Sequence, residues 1–376
     1  RSVGIRLATA LIWIFTTECV LCARRPCHRP KRRDMPDRKL LTLAVPAYNA
    51  GSFLHQCLDT LVDAGSALEV LVVNDGSKDN TLEVARAYQQ KYPDVIVAVD
   101  QQNRNWGGVI NHALELAKGE YFYVVDSDDW LDPAVLKEVL AKLAELDAAN
   151  SLVDLFVVNY VYKQVEEDAR HTIQYRKLIP HDKVVTWDDL SQPKIDQYLM
   201  IHSMIYRTSV VRESGLVLPE GESYMDSLLM LKPLRFVKTL YYHDCDLYWY
   251  TIGREGQSVE PAVLKKHINE QIHATHLAID GFDYAGLQAI SPRLASCSLR
   301  YLSAMMTVSS IHLFQINTPE SIAANDELWA YLKSTDPVLY RRLHATFAGL
   351  VYRKTAFGRA VAKFGYNVGA KIFKYA

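Results

Sequence analysis

The chain has 376 residues, 49% hydrophobic and 23% charged, an ordinary globular composition with room for one large or two ordinary domains. Its net charge of -1 conceals a segregation: residues 1–39 carry ten Lys or Arg against three Asp or Glu, residues 337–376 carry eight against none, and residues 40–336 hold 24 against 40. An acidic body with basic ends argues against nucleic acid as a partner and for a basic tail laid against something anionic.

In chain order, residues 7–22 form a mostly apolar run near the lower length limit for a membrane span, but Glu18 interrupts it. Met35 stands immediately before the first convincing strand, so residues 1–34 are expected to be an upstream extension. Cys57, Cys245 and Cys297 are scattered through the remainder, the usage of a reducing, cytoplasmic compartment.

Residues 40–45 read as a strand that stops at Pro46-Ala-Tyr48-Asn49, and Phe53, Leu54, Cys57, Leu58 and Leu61 mark one face of a helix. Residues 70–74 are a second strand. Asn80 and Glu83 make a capping-box pattern for a helix reaching Tyr92, and residues 95–99 are a third strand. Gly107 and Gly108 open a helix to about Lys118. The apolar run 121–125 then leads, as a buried strand, into Asp126-Ser-Asp128-Asp129-Trp130. This alternation predicts an α/β fold with right-handed crossovers and a doubly wound, mostly parallel sheet.

Such sheets bind ligands at the carboxyl ends of their strands. Asp126 and Asp128, two apart on an extended chain, would point to one side, and their oxygens suit a hard divalent cation that also holds phosphate oxygens. No G-x-G-x-x-G follows the first strand and no G-x-x-x-x-G-K-[ST] occurs, which argues against a dinucleotide-binding or P-loop site. Asp75, at a strand end beside Gly76, can accept hydrogen bonds from a base or a ribose hydroxyl.

Val45-Pro-Ala-Tyr-Asn49, Val72-Val-Asn-Asp75-Gly-Ser-Lys-Asp79, Asn105-Trp-Gly-Gly-Val-Ile-Asn111, Lys118-Gly-Glu-Tyr-Phe and Asp126-Ser-Asp-Asp-Trp130 stand in one order and spacing. Over residues 40–135 this combination resembles family 2 glycosyltransferases with the A-type fold, of bacterial polysaccharide or wall-polymer type. The resemblance implies that Pro46, Tyr48, Asn49, Asp75 and Gly107 contact a nucleotide-sugar donor, a UDP-sugar first of all. It also makes Asp126 and Asp128 the family's metal motif, with Mn2+ or Mg2+. Many members carry Arg-Asn near residues 109–111, and that Arg is missing here.

In the second half, residues 155–162 read as a strand, residues 166–183 as a polar excursion at the sheet rim, and residues 203–207 as a short strand leading to a helix. Asp226 starts an apolar helix, where the helix dipole favours its charge. The resemblance implies that a carboxylate in this context deprotonates the acceptor hydroxyl, which falls on Asp226; the usual preceding Glu is Met225 here, and Glu222 is the substitute. Residues 248–259 resemble the segment that closes over the donor, with Arg254, Gln257 and Ser258 as donor contacts. Tyr241, Tyr242, Tyr248, Trp249 and Tyr250 divide between core and sugar stacking.

From residue 262 onward apolar residues recur at helical spacing, so a catalytic domain over residues 35–260 is followed by a C-terminal helical region, residues 261–376, of about four helices. Its basic and aromatic end fits either an anionic membrane surface, on the inner face of the cell membrane, or packing on the body. The expected activity is inverting, metal-dependent transfer of a sugar from a nucleoside diphosphate to a glycan or lipid-linked acceptor. The alternatives are a non-catalytic sugar-binding subunit and a nucleotidylyltransferase.

Overall fold

The computed structural model describes residues 38–164, 170–194, 198–253 and 261–352. Strands β1 (Leu41–Ala47), β2 (Leu68–Asp75), β3 (Ile96–Gln101) and β4 (Tyr121–Val124) pair in parallel in the order β3-β2-β1-β4. Every residue of β2 and β4 is buried, as expected for strands covered on both faces. The chain runs outward through β2 and β3 and then returns to the other side of β1, so the carboxyl ends of β1 and β4 flank the switch point where such sheets take ligands.

Beyond β4 the sheet becomes mixed. β6 (Leu155–Gln164) and β10 (Leu240–Ile252) are parallel to each other, β9 (Met204–Arg207) fits antiparallel between β4 and β6, and β5 (Trp130–Leu131) closes the edge of β10. Part of the polar excursion is strand β7 (Arg170–Ile173), antiparallel to β6, and the short β8 (Val184–Val185) lies antiparallel to β10.

Alternate residues serve two cores. Ala44, Leu71, Val73, Phe122 and Val124 share one cluster with Val109, Ile110 and Ala113 of the helix Asn105–Leu116. Leu43, Val45, Val70, Val72, Tyr121 and Tyr123 share the other with the helices Leu54–Asp59 and Pro133–Ala148. The capping box expected at Asn80 and Glu83 is absent, since Asn80 makes no side-chain cap bond to the helix Thr81–Lys91. Asp79 Oδ1 accepts from the Thr81 N–H at 3.1 Å instead, moving the cap one residue upstream.

Among the described residues, seven helices rather than about four follow residue 260: Pro261–Lys266, Ile268–Asp280, Tyr284–Ile290, Pro292–Ile316, Pro319–Thr335, Pro337–His344 and Phe347–Tyr352. One of the extra breaks arises because Asp283 accepts an N–H bond at the start of a new helix. Leu294, Leu302, Met306, Trp329, Leu339 and Leu343 join the same cluster as the helix Asn105–Leu116. Within the basic, aromatic end, Tyr352 stacks on Trp329 with centroids 4.5 Å apart and Arg342 lies 4.0 Å over Tyr284, so this part packs on the body. The other basic residues of that end, from Arg353 on, lie outside the described residues.

One loop links the two halves of the chain. Asn111 Nδ2 donates to Leu218 O at 2.8 Å while its Oδ1 accepts from Leu218 N–H at 2.9 Å, and Gly221 N–H donates to Arg104 O at 2.7 Å. A Cβ on Gly107 would lie 2.1 Å from Pro219 O. Gly107 is thus the position that lets the segment before Asp226 lie flat on the helix, a packing duty separate from the donor contact expected of it. Gly107→Ala should lower stability by about 1–3 kcal/mol, the scale of overpacking, in urea denaturation. An unchanged midpoint would show that the loop is not seated as described.

His312, on the long helix Pro292–Ile316, has a buried Nδ1 without a partner among the described residues, and burial pushes its ring down from 6.5 to about 4. The folded ring therefore stays neutral while the unfolded one charges. Its contribution is fully present above pH 6.5 and is lost as the pH falls toward 4. His312→Leu should shrink the stability difference between pH 7 and pH 4.5, and equal differences in parent and variant would refute this.

Candidate functional site

The carboxyl ends of β1 and β2 are laced together. After β1, Tyr48 is 50% exposed and Asn49 takes a φ of 50°, a left-handed conformation that Asn tolerates. Asn49 N–H donates to Ser77 Oγ and its Oδ1 accepts from Lys78 N–H, both at 2.9 Å. Ala50 N–H donates to Thr81 Oγ1 at 2.7 Å, and Gly51 N–H to Asp79 Oδ2 at 3.0 Å. Asn49, Asp79 and Thr81 therefore hold two loops in register, while the Tyr48 ring stays open to a flat base. Pro46 is half-buried within β1.

Asp75 ends β2 and is buried; its Oδ1 accepts from Gln101 Nε2 and from Arg104 N–H, both at 2.8 Å. This fastens it to the start of the helix Asn105–Leu116. Gly76 follows with a φ of 67°, where the Asn103 backbone leaves no room for a side chain.

At the end of β4 the chain does not stay extended, as the paired reading of Asp126 and Asp128 requires. Asp129 N–H donates to Asp126 O at 3.0 Å, which closes a turn through Ser127 and Asp128. Asp126 N–H donates to Tyr248 Oη at 3.2 Å, and that hydroxyl donates to Asp129 Oδ2 at 2.6 Å. Thr251 N–H donates to Asp129 Oδ1 at 2.9 Å. The ring of Tyr248 is fully buried, so its role is to tie β10 to this turn rather than to stack on a sugar; Tyr241 and Tyr242 are buried too, whereas Trp249 and Tyr250 keep some surface.

Asp126, Asp129 and His202 each offer a ligand-type atom, all within 4.8 Å of one another. Burial, then the charges of Asp128 and Asp226, push Asp126 up to about 7, opposed by a hydrogen bond from Trp106. Burial, then the charges of Asp128 and Asp126, hold Asp129 well above its usual range. Burial pushes His202 down to about 4, so the imidazole is neutral and its nitrogens can donate an electron pair. It sits against Tyr248 and Tyr250, with centroids 4.5 and 4.8 Å away. Carboxylates raised by burial and crowding beside a neutral imidazole form a donor set that a divalent cation fits, since its charge offsets both. Asp129, His202, Tyr248 and Trp106 carry no local sequence signal for this setting.

Asp226 opens the helix Asp226–Leu231; burial raises its carboxyl, and the amides of Asp226 and Ser227 oppose that. Its charge acts on Asp126, which brings the second half of the chain to the end of β4. Glu222 is turned elsewhere: both its oxygens face His273 Nδ1, at 2.8 and 2.9 Å. Arg254, Gln257 and Ser258 lie outside the described residues.

Residues 42–208 match the family model described as Glycosyl transferase family 2. An uncharacterized glycosyltransferase of Mycoplasma pneumoniae is 38% identical over 112 residues, 28% of this chain and 37% of that protein. The putative glycosyltransferase EpsH of Bacillus subtilis is 27% identical over 230 residues, 56% of this chain and 60% of the relative. The chain thus spans under two thirds of the length of either. The crystal structure of S. aureus TarS 1-349 in complex with UDP-GlcNAc superposes with a TM-score of 0.58 at 22% identity, covering 88% of this chain and 92% of that one. Residues 42–208 thus carry a domain of the Glycosyl transferase family 2, in a chain with the A-type glycosyltransferase fold.

Proposed function

We propose that the chain transfers a sugar from a nucleoside diphosphate to an acceptor hydroxyl with inversion, in the assembly of a cell-surface polysaccharide or glycolipid. The observation that carries this is that Asp226, opening its helix, is near enough for its charge to act on buried Asp126 at the switch point, while the rival carboxylate Glu222 is paired to His273. Tyr48, Pro46 and Asp75 bind the nucleoside. Asp226 accepts the proton of the attacking hydroxyl, whose oxygen bonds the anomeric carbon as the bond to the diphosphate breaks and the leaving group departs with its electron pair. A raised carboxyl is a better proton acceptor near neutral pH than an ordinary one.

Asp126 and Asp128, with Asp129 and His202 beside them, would hold the Mn2+ or Mg2+. When bound, such a cation neutralises charge on the departing diphosphate. TarS, named as a poly(ribitol-phosphate) beta-N-acetylglucosaminyltransferase and solved with UDP-GlcNAc, favours a UDP-sugar as donor and a wall-type polymer as acceptor.

Hydrolysis of a UDP-sugar panel in the presence of Mn2+ tests the donor and the metal together. Asp128→Ala should abolish metal-dependent donor binding and turnover with the fold intact. Asp226→Asn should keep donor affinity within a few-fold and reduce turnover by about 100-fold or more, the scale of a lost general base. Full activity in either variant would overturn the role assigned to that residue.

The acceptor side has a charge argument. No helix among the described residues is long and apolar enough to cross a membrane. Residues 353–376 hold six Lys or Arg and no Asp or Glu, and each near an anionic surface contributes on the order of 1 kcal/mol. A peripheral position on an anionic membrane, within reach of a lipid-linked acceptor, follows. Because residues 337–352 pack on the body, the informative truncation is after Tyr352. It should abolish co-sedimentation with anionic vesicles while UDP-sugar hydrolysis persists; undiminished vesicle binding would refute the membrane role.

A further inference from the structure

The segment that delivers Asp226 is held from two sides. On one side lie the contacts of residues 218–221 with the helix Asn105–Leu116, together with a bond from Gly107 N–H to Glu222 O at 3.4 Å. On the other side lies the first half of the helix Ile268–Asp280. Glu270 and His273, three apart on one face of that helix, grip successive residues of the loop. Glu270 Oε2 accepts from Ser223 N–H at 2.7 Å, and His273 Nδ1 meets the Glu222 carboxylate. His267 Nδ1 stands 2.6 Å from Glu270 Oε1, so the Glu270 carboxylate is oriented by one oxygen while the other bonds the loop.

We propose that Glu270 is a positioning residue for the reaction: through the Ser223 amide it sets where the Asp226 carboxylate stands relative to the acceptor hydroxyl. The inference rests on Asp226 as the base. The physical case is the arrangement itself. Glu270 occupies the first turn of its helix, where a negative charge is favoured. A charged acceptor binds an amide more strongly than a neutral one. Asp226 lies three residues beyond Ser223, with buried Met225 between them, so displacement of the amide passes along a short and packed stretch. The helices beyond residue 260 thereby gain a part in the chemistry without touching the donor.

The experiment compares the parent with Glu270→Ala, Glu270→Gln and Asp226→Asn on the full chain, using UDP-GlcNAc hydrolysis with Mn2+ and amide hydrogen exchange over residues 221–227. In Glu270→Ala, kcat should fall about 10- to 100-fold, the scale of a misplaced catalytic group, with KM for UDP-GlcNAc and the melting temperature close to the parent's. Exchange at Ser223 should quicken, and Glu270→Gln, which retains an acceptor oxygen, should restore most of both. A kcat in Glu270→Ala equal to the parent's, with Asp226→Asn inactive, overturns the positioning role and leaves the base assignment standing. A rise in KM with a lower melting temperature, unrelieved in Glu270→Gln, makes Glu270 a structural residue and also overturns it. Turnover in Asp226→Asn at the parent's rate removes the base itself. Unaltered exchange at Ser223 in Glu270→Ala refutes the contact whatever the donor.

Discussion

Carboxylates crowd one strand end, and the rest of the structure depends on keeping them there against their repulsion. Two like charges 4 Å apart near a protein surface repel by about 4 kcal/mol. Burial first, then repulsion from Asp128 and Asp226, raises Asp126 to about 7, and burial with the charges of Asp128 and Asp126 holds Asp129 well above its usual range. The fold answers with donors: Tyr248 Oη and Thr251 N–H on Asp129, and Trp106 on Asp126. Crowding of this kind, at the switch point of a sheet, costs stability and suits a positively charged ligand.

This constraint accounts for the shape of β10. Its thirteen residues span the ten of β6 from Leu155 to Gln164, with irregular register between Tyr242 and Tyr248. The departure from even pairing lets the buried Tyr248 ring send its hydroxyl to Asp129 while Trp249 pairs with Trp130 on the edge strand. The second half of the chain then adds Asp226 from a loop clasped between the helices Asn105–Leu116 and Ile268–Asp280. The end of β4, Asp226 and the C-terminal helices are in this way mechanically linked.

Much of the first half was legible. The strand ends carrying Asp75 and Asp126 follow from apolar runs that stop at turn-forming residues, and both signals are local. Misreadings arose where two local solutions compete. Asn80 looked like a cap, yet Asp79 one residue earlier reaches the Thr81 amide. Asp126 and Asp128 looked like a pair on extended chain, yet a turn forms because Asp129 is drawn back by Tyr248. The C-terminal region holds more helices than apolar spacing alone indicates, because a side-chain cap such as that of Asp283 starts a new helix within an unbroken apolar pattern.

By itself the sequence determined the alternation of strands and helices, the order of the parallel strands' loops, and the presence of carboxylates at the ends of two of them. Those are consequences of periodicity and turn chemistry acting over a few residues. Only the tertiary structure decided which carboxylates meet. Tyr248 reaches Asp129 across 119 residues and His273 withdraws Glu222 across 51. Such contacts leave no mark in local spacing, and the shifts that burial imposes on Asp126, Asp226 and His202 depend on every segment packed around them. The same four carboxylates in another packing would be solvated surface charges.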